Sequence, residues 1–369
     1  MSLVSLFGLS AVLHFYIGLR LVPALPGPVA GWLLAALLLA SAVLTPLGLV
    51  ARRIAKAQAA DRLTWFGMLA MGLFSSLLVF TLLRDLVLLL VPADLAAGSA
   101  IAVPLLALAA SLLGAFNARK TAGIVSVDVP IAGLPDALHG FTIAQISDIH
   151  VGPTIKAPYL QDIVDAVNRL EADLVAVTGD LVDGSVAELS GHVAPLAGLL
   201  SRHGTFFVTG NHEYYSGALP WMAELRGLGV NVLMNEHVVL ERGGASVVLA
   251  GVTDYGAHHF DPSHRSDPVA ALLGAPVDAA VRVLLAHQPR SAAAAEQAGF
   301  DLQLSGHTHG GQFLPWTFLV RLQQPFTAGL HRLGKLWVYV SRGTGYWGPP
   351  KRLGAPSEIT RLRLVQALQ

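Results

Sequence analysis

Side chains able to hold a metal recur where apolar runs stop. "QISDIH" ends in Asp148 and His150, and "VTGD" in Asp180. "VTGNHE" ends in Asn211, His212 and Glu213, "LLAHQ" holds His287, and "LSGHTHGG" holds His307 and His309. Singly, each has a bland reading as a turn, a helix cap or a satisfied buried imidazole. Together they do not, because packed strands have no use for unpaired Asp and His at their tips. A metal cluster satisfies them all. With His212 set aside, two carboxylates, one amide oxygen and four imidazoles remain, more than a single tetrahedral ion takes. If Asp180 bridges, two ions each receive four protein ligands. Such a pair, ~3.5–4 Å apart, makes water nucleophilic. The mixed nitrogen and oxygen donors suit Mn, Fe or Zn better than Mg or Ca. The chain has no cysteine, which excludes thiolate ligands, thiol nucleophiles and disulfides.

The elements that must position these groups are short and apolar. Strand-length runs rich in Val, Leu and Ile span 141–148, 173–180, 204–211, 246–254, 282–289, 301–309, 336–343 and 359–365. Helical spacing is clear over 157–170 and weaker over 185–200 and 291–300. Alternating strands and helices predict sheets covered by helices, with ligands gathered outside the carboxyl ends of the strands. Five strands then deliver donors to one edge.

The first third is different. The chain of 369 residues is 53% hydrophobic and 13% charged, about half the charged share of a soluble domain at roughly 25%. Apolar stretches run from about Leu3 to Val22, Val29 to Val50, Leu63 to Val91 and Ser99 to Phe116. Each approaches or exceeds the ~20 residues of a spanning helix. The first lacks a basic leader and is followed by further spans, so a cleaved signal peptide is not expected. Residues 1–122 carry eight Lys/Arg against three Asp/Glu, while the remainder carries 16 against 21 and 13 of the 14 histidines. No Lys/Arg stripe suggests a nucleic-acid partner. With four spans, Arg52, Arg53, Lys56 and Arg62 fall on the same side as Arg119 and Lys120. That side, with the body, is expected in the cytoplasm at the cell (inner) membrane. A fifth span within 63–91 would reverse this. Arg84 and Asp85 in that stretch read either as a lipid-headgroup site or as the interface mark of an overlong helix. His14 reads as a helix-contact or interfacial histidine.

From 140 to 310 the order D-x-H, G-D, G-N-H-E, lone His and G-H-x-H resembles the calcineurin-like metallophosphoesterases, and no element of the signature is missing. "VTGNHEYYSG", "LSGHTHGGQ" and "SRGTGYWGPPKRLGAPSEIT" are similar to its membrane-linked branch. The resemblance implies a four-layer α/β/β/α sandwich over 121–369, preceded by about four transmembrane helices over 1–120. It implies that Asp148, His150, Asp180 and His309 hold one metal. Asp180, Asn211, His287 and His307 would hold the other. In-line attack of hydroxide on phosphorus would follow, with His212 as general acid to the leaving oxygen. Relatives of that branch include bacterial phosphodiesterases and enzymes that cleave the pyrophosphate of UDP-2,3-diacylglucosamine. The function expected is hydrolysis of a phosphodiester or pyrophosphate in a lipid-linked substrate, since four spans exceed what tethering needs. A phosphatase for soluble monoesters on a mere anchor, or a scaffold that kept the fold, are the alternatives.

Other residues keep two readings each. Asp183 and Glu213 either fix imidazole tautomers or are solvated carboxylates. The loop 258–268, "HHFDPSHRSDP", contacts phosphate or is plain polar surface. Arg342 and Arg352 bind phosphate or form exposed salt bridges. "FLPWTFLVRLQQPF", 313–326, dips into the lipid interface or packs in the core. Substrate identity and oligomeric state are not legible.

Overall fold

The computed structural model describes residues 2–90 and 95–367. They form two compact units, Met1–Arg119 with Gly348–Leu353, and Lys120–Trp347 with Gly354–Gln369.

The helical unit contains α1 (Leu3–Leu21), α2 (Pro28–Ile54), α3 (Ala57–Leu88) and α4 (Ala96–Arg119). All four are long and apolar enough to cross a membrane. The long third stretch is one continuous helix of 32 residues. At about 1.5 Å per residue it outreaches a ~30 Å hydrocarbon core. Val91, the expected end of that stretch, lies outside the described residues. The helices meet through Ile17, Leu21, Leu34, Leu38, Leu77 and Val103. At Gly48 and Gly67, α2 and α3 touch backbone to backbone, and a Cβ on Gly48 would lie 2.7 Å from Gly67 Cα. Small residues permit this contact between helices in lipid. His14 is a helix-contact residue: Nδ1 donates to Ser10 O at 2.8 Å, Nε2 meets Ser41 Oγ at 2.9 Å, and the ring stacks on Phe74.

Arg84 and Asp85 match neither sequence reading in full. The Arg84 side chain is buried and donates to Ser99 Oγ at 3.0 Å, Ala96 O at 3.1 Å and Arg20 O at 3.3 Å. Asp85 Oδ2 accepts from Tyr16 at 2.6 Å and Arg20 Nε at 2.7 Å. The pair joins the ends of three helices. The hexapeptide Gly348–Leu353 also belongs to this unit. Lys351 Nζ donates to Gly72 O at 2.9 Å, to Ser111 Oγ at 3.2 Å and to Ser76 Oγ. Arg352, read from sequence as a phosphate ligand or an exposed salt bridge, is buried in this unit, and its N–H donates to Gly114 O.

The α/β unit is built on two six-stranded mixed sheets. Its strands are β1 (Gly123–Ile131), β2 (Thr142–Ile146), β3 (Leu174–Val177), β4 (Thr205–Phe207), β5 (Asn231–Val232), β6 (Glu236–Arg242), β7 (Ala245–Gly251), β8 (Val281–Leu285), β9 (Leu302–Ser305), β10 (Gly329–Leu333), β11 (Leu336–Val340) and β12 (Glu358–Gln366). The helices are α5 (Ala157–Asn168), α6 (Val186–Val193), α7 (Asn211–Ser216), α8 (Ala218–Gly227), α9 (Pro268–Ala271), α10 (Ala292–Ala298) and α11 (Trp316–Val320). The sheet orders are β1-β12-β2-β3-β4-β5 and β10-β11-β9-β8-β7-β6. Every expected strand is present.

Period-two alternation explains why the sheets stack. Ile143, Leu174, Ala176 and Phe206 of the first sheet share one core with Leu249, Val283, Leu285 and Leu304 of the second. The opposite face of the second sheet, through Ala250, Leu284, Val338 and Val340, is covered by Ala271, Ala292 and Ala295 of α9 and α10. The outer face of the first sheet, Ala144, Ile146, Val175, Val177 and Phe207, is buried as well. Apolar residues on both faces are what helix-covered sheets require. The result is the four-layer α/β/β/α order. β2, β3 and β4 run parallel in one sheet, and β8 and β9 run parallel in the other. The expected edge is therefore shared by two sheets.

Candidate metal centre

Each candidate ligand follows directly on a strand. Asp148 and His150 follow β2, Asp180 follows β3, Asn211 opens α7 after β4, His287 follows β8, and His307 and His309 follow β9. Five of them adopt left-handed backbone: Asp148 (φ 54°), His150 (57°), Asp180 (51°), His307 (71°) and His309 (51°). This conformation costs a non-glycine residue about 1–3 kcal/mol and persists where surrounding structure enforces it. Gly306 permits the approach of the last turn, because a Cβ there would overlap Ser147 Oγ and Asp148 Oδ2.

The side chains gather in three overlapping groups: Asp148, His150 and His309; His150, Asp180 and His212; and Asp180, His287 and His307, with ligand atoms in each within 4.8 Å of one another. His150 Nε2 lies 3.1 Å from His309 Nε2, and His309 Nε2 lies 3.5 Å from Asp148 Oδ1. His287 Nε2 lies 3.1 Å from Asp180 Oδ2 and 3.2 Å from His307 Nδ1. His150 Nε2 and Asp180 Oδ2 are 4.0 Å apart, which links the groups. His287 Nδ1 donates to Thr178 O at 2.8 Å, leaving Nε2 as the atom that faces the site.

The donor set fits divalent cations. Asp148 and Asp180 are 0% and 2% exposed. Asp148 Oδ2 and Asn211 Oδ1 are buried acceptors without a hydrogen-bond partner. A buried acceptor left without a partner is unfavourable unless a cation joins it. Burial and the neighbouring His287 charge lower the His307 imidazole to about 3, while His287, against its own burial, is held above its ordinary value by the Asp180 and Asp148 carboxylates.

The surrounding residues hold this arrangement. Asp183 Oδ1 meets His150 Nδ1 at 3.1 Å and His212 Nδ1 at 2.5 Å, so it orients two rings at once. Glu213 is fully buried, and its hydrogen bonds go to backbone. It accepts backbone N–H groups from Asp180, Leu181, Val182 and Gly210, pinning the β3 and β4 turns together. Burial alone would lower the His212 imidazole, but the Asp183 hydrogen bond and the charges of Asp180, Asp183 and Glu213 push it up to about 9. His212 N–H donates to Asp180 Oδ1 at 2.8 Å. Its ring sits against Tyr215 and Trp347, with centroids at 5.2 and 5.7 Å.

Sequence reasoning did not single out Asp254. It is buried, accepts from Gln288 Nε2 at 2.9 Å and from Gly256 N–H at 2.8 Å, and is braced at its own N–H by Thr209. The signal was a strand ending in Asp, as at 148 and 180. In the 258–268 loop, His264 bonds the Tyr214 hydroxyl at 3.1 Å and Phe260 packs on Tyr214 and Tyr215. Arg342 pairs with Glu358 at 2.7 Å, a salt bridge as one reading has it, but with a buried carboxylate and not an exposed one.

Residues 141–311 match the family model described as calcineurin-like phosphoesterase. Over 265 residues the chain is 40% identical to the transmembrane protein with metallophosphoesterase domain of Danio rerio, covering 70% of this chain and 60% of that one. Its counterpart in Bos taurus is 42% identical over 269 residues, again 70% and 60%. An uncharacterized metallophosphoesterase of Aquifex aeolicus is 34% identical over 256 residues, which are 68% of this chain and 95% of that one. The chain thus spans 60% of the length of the two vertebrate relatives.

Proposed function

We propose a function from one premise: this chain belongs to the calcineurin-like metallophosphoesterase family. It is a multi-pass membrane enzyme that hydrolyses a phosphodiester or pyrophosphate bond in a lipid-linked substrate. Residues 1–120 act as the membrane domain and 121–369 as the catalytic domain, on the cytoplasmic side of the cell (inner) membrane. Asp148, His150, Asp180 and His309 bind one divalent cation (Mn, Fe or Zn), and Asp180, Asn211, His287 and His307 bind the second. The observation that carries this is the buried Asp148 carboxylate, whose Oδ2 has no hydrogen-bond partner although the residue groups with His150 and His309.

When bound, the cations acidify water and neutralise charge on the phosphoryl oxygens. The chain's own residues do the rest. Asp180 receives the His212 N–H on Oδ1 and keeps Oδ2 toward His287. Asp183 holds His150 and His212 in fixed orientation through their Nδ1 atoms. His212, held at Nδ1 by Asp183, is the general acid that protonates the leaving oxygen from Nε2. Tyr215 and Trp347, both exposed by half or more, give the site an apolar margin suited to the lipid part of a substrate. The orientation is supported by Arg52 and Arg53 in the last turn of α2 and Arg119 in that of α4.

The test is hydrolysis by the full chain in lipid nanodiscs, with Mn²⁺, against fractionated lipid extracts and water-soluble diesters and monoesters. Release of a headgroup from lipid, lost in Asn211→Ala and His212→Ala with folding intact, is expected. Cleavage confined to water-soluble compounds would sink the lipid-linked substrate. No hydrolysis at all by metal-loaded wild type would leave the scaffold reading.

A further inference from the structure

Between Leu314 and Leu322 the α/β unit exposes five large apolar side chains: Leu314, Trp316, Phe318, Leu319 and Leu322. Phe318 is 66% and Leu322 82% exposed. Scattered apolar residues on a surface need no explanation, but a contiguous group does. The core-packing reading of this segment therefore fails for these residues. Only Phe313 at its start and Gln324 near its end are buried.

The segment is held firmly from the metal turn. Gln312 bonds Trp347 twice, through Nε2 to the carbonyl and through Oε1 from the N–H, both at 2.9 Å. Phe313 pairs with Gly354 in a β-bridge. Trp347 and Gly354 are the residues on either side of Gly348–Leu353, the hexapeptide of the helical unit. Each is one peptide bond from a unit whose helices are long and apolar enough to cross a membrane. The start of the exposed segment is thus fixed to both of the points where the chain passes into and out of that unit.

We infer that residues 314–322 are an interfacial lip, inserting Leu314, Trp316, Phe318, Leu319 and Leu322 into the headgroup boundary of the bilayer. Chain continuity with the spanning unit selects lipid over a soluble partner as the occupant. The chemistry agrees: Trp316 is suited to the interface, and exposed Arg321 is suited to lipid phosphate. Amphipathic elements of this kind sit about 5–10 Å into the boundary. The lip follows directly on the His307–His309 turn. The inference rests on membrane attachment and stands whether the substrate is lipid-linked or soluble.

The chain lacks cysteine, so single-cysteine variants report one position each. Phe318→Cys and Leu322→Cys in the full chain, nitroxide-labelled in phosphatidylcholine–phosphatidylglycerol nanodiscs, are compared with Val277→Cys, which is 91% exposed in the same unit. Power saturation should give labels 318 and 322 an oxygen-to-nickel-chelate accessibility ratio several-fold above that at 277. Ratios equal to that at 277 place the segment in water and overturn the lip. Low accessibility to both reagents means that protein covers it, which overturns the lip too. The measurement needs no hydrolysis, so its failure is separate from failure of the proposed activity.

Discussion

Where α1 and α3 end and α4 begins, Arg84 is buried beside Asp85, and their polar atoms meet protein partners: Ser99, Ala96 O, Arg20 O, Tyr16 and Arg20 Nε. Where β2 and β3 end, Asp148 and Asp180 are as deeply enclosed, and Asn211 after β4 is half-buried, yet Asp148 Oδ2 and Asn211 Oδ1 have no hydrogen-bond partner. The first cluster is closed and the second is open. A closed cluster contributes to holding helices together. An open one is unfavourable by itself, and it persists because backbone turns and the Glu213 carboxylate impose it.

The difference can be attacked from either side. Asp180→Asn removes the carboxylate proposed to serve both cations. It should lower hydrolysis by at least ~10³-fold and cut bound metal, measured by kinetics and elemental analysis on folded protein. Retained metal and activity would mean the second cluster is closed after all. Removing metal with a chelator should then speed amide exchange at the strand-end turns 147–151, 178–182 and 306–310, leaving α1–α4 unchanged. Restoring Mn²⁺ at 100 times its Kd should stabilise the α/β unit by about 2.7 kcal/mol. Asp183→Asn keeps every proposed ligand but loosens His150 and His212, and should cost ~10–100-fold in activity or metal affinity. Arg84→Met works on the closed cluster. It should leave kcat within about twofold and lower stability by about 1–3 kcal/mol, because Asp85 and two carbonyls lose donors. A large loss of kcat there would show that the helical cluster does more than hold helices.

Much of the open cluster was legible because polar residues interrupt apolar strands at their ends. The closed one was half legible: Arg84 and Asp85 stood out in an apolar stretch, but their partners Tyr16 and Ser99 lie on other helices. The missed strands have a physical reason. β6 and β10 are edge strands with half-exposed faces, so no buried apolar run marks them, and β5 has only two residues. β1 alternates in "GIVSVDVPI", but it too is an edge strand and its first half is largely exposed. The left-handed backbone at Asp148, His150, Asp180, His307 and His309 leaves no compositional trace, since glycine is the residue that announces it. Nor did the Gly/Pro-rich 348–353 segment, which has no periodicity, announce that it belongs with the helices.

The order of the first sheet sets a timetable for synthesis. β12 is drawn from residues 358–366 yet pairs with β1 on one side and β2 on the other. A nascent chain can thread its four helices into the bilayer and begin pairing β2 with β3. It cannot seat β1 until nearly the whole α/β unit has left the ribosome. During that interval an unpaired strand edge stands open, a period in which chaperones would have most to do.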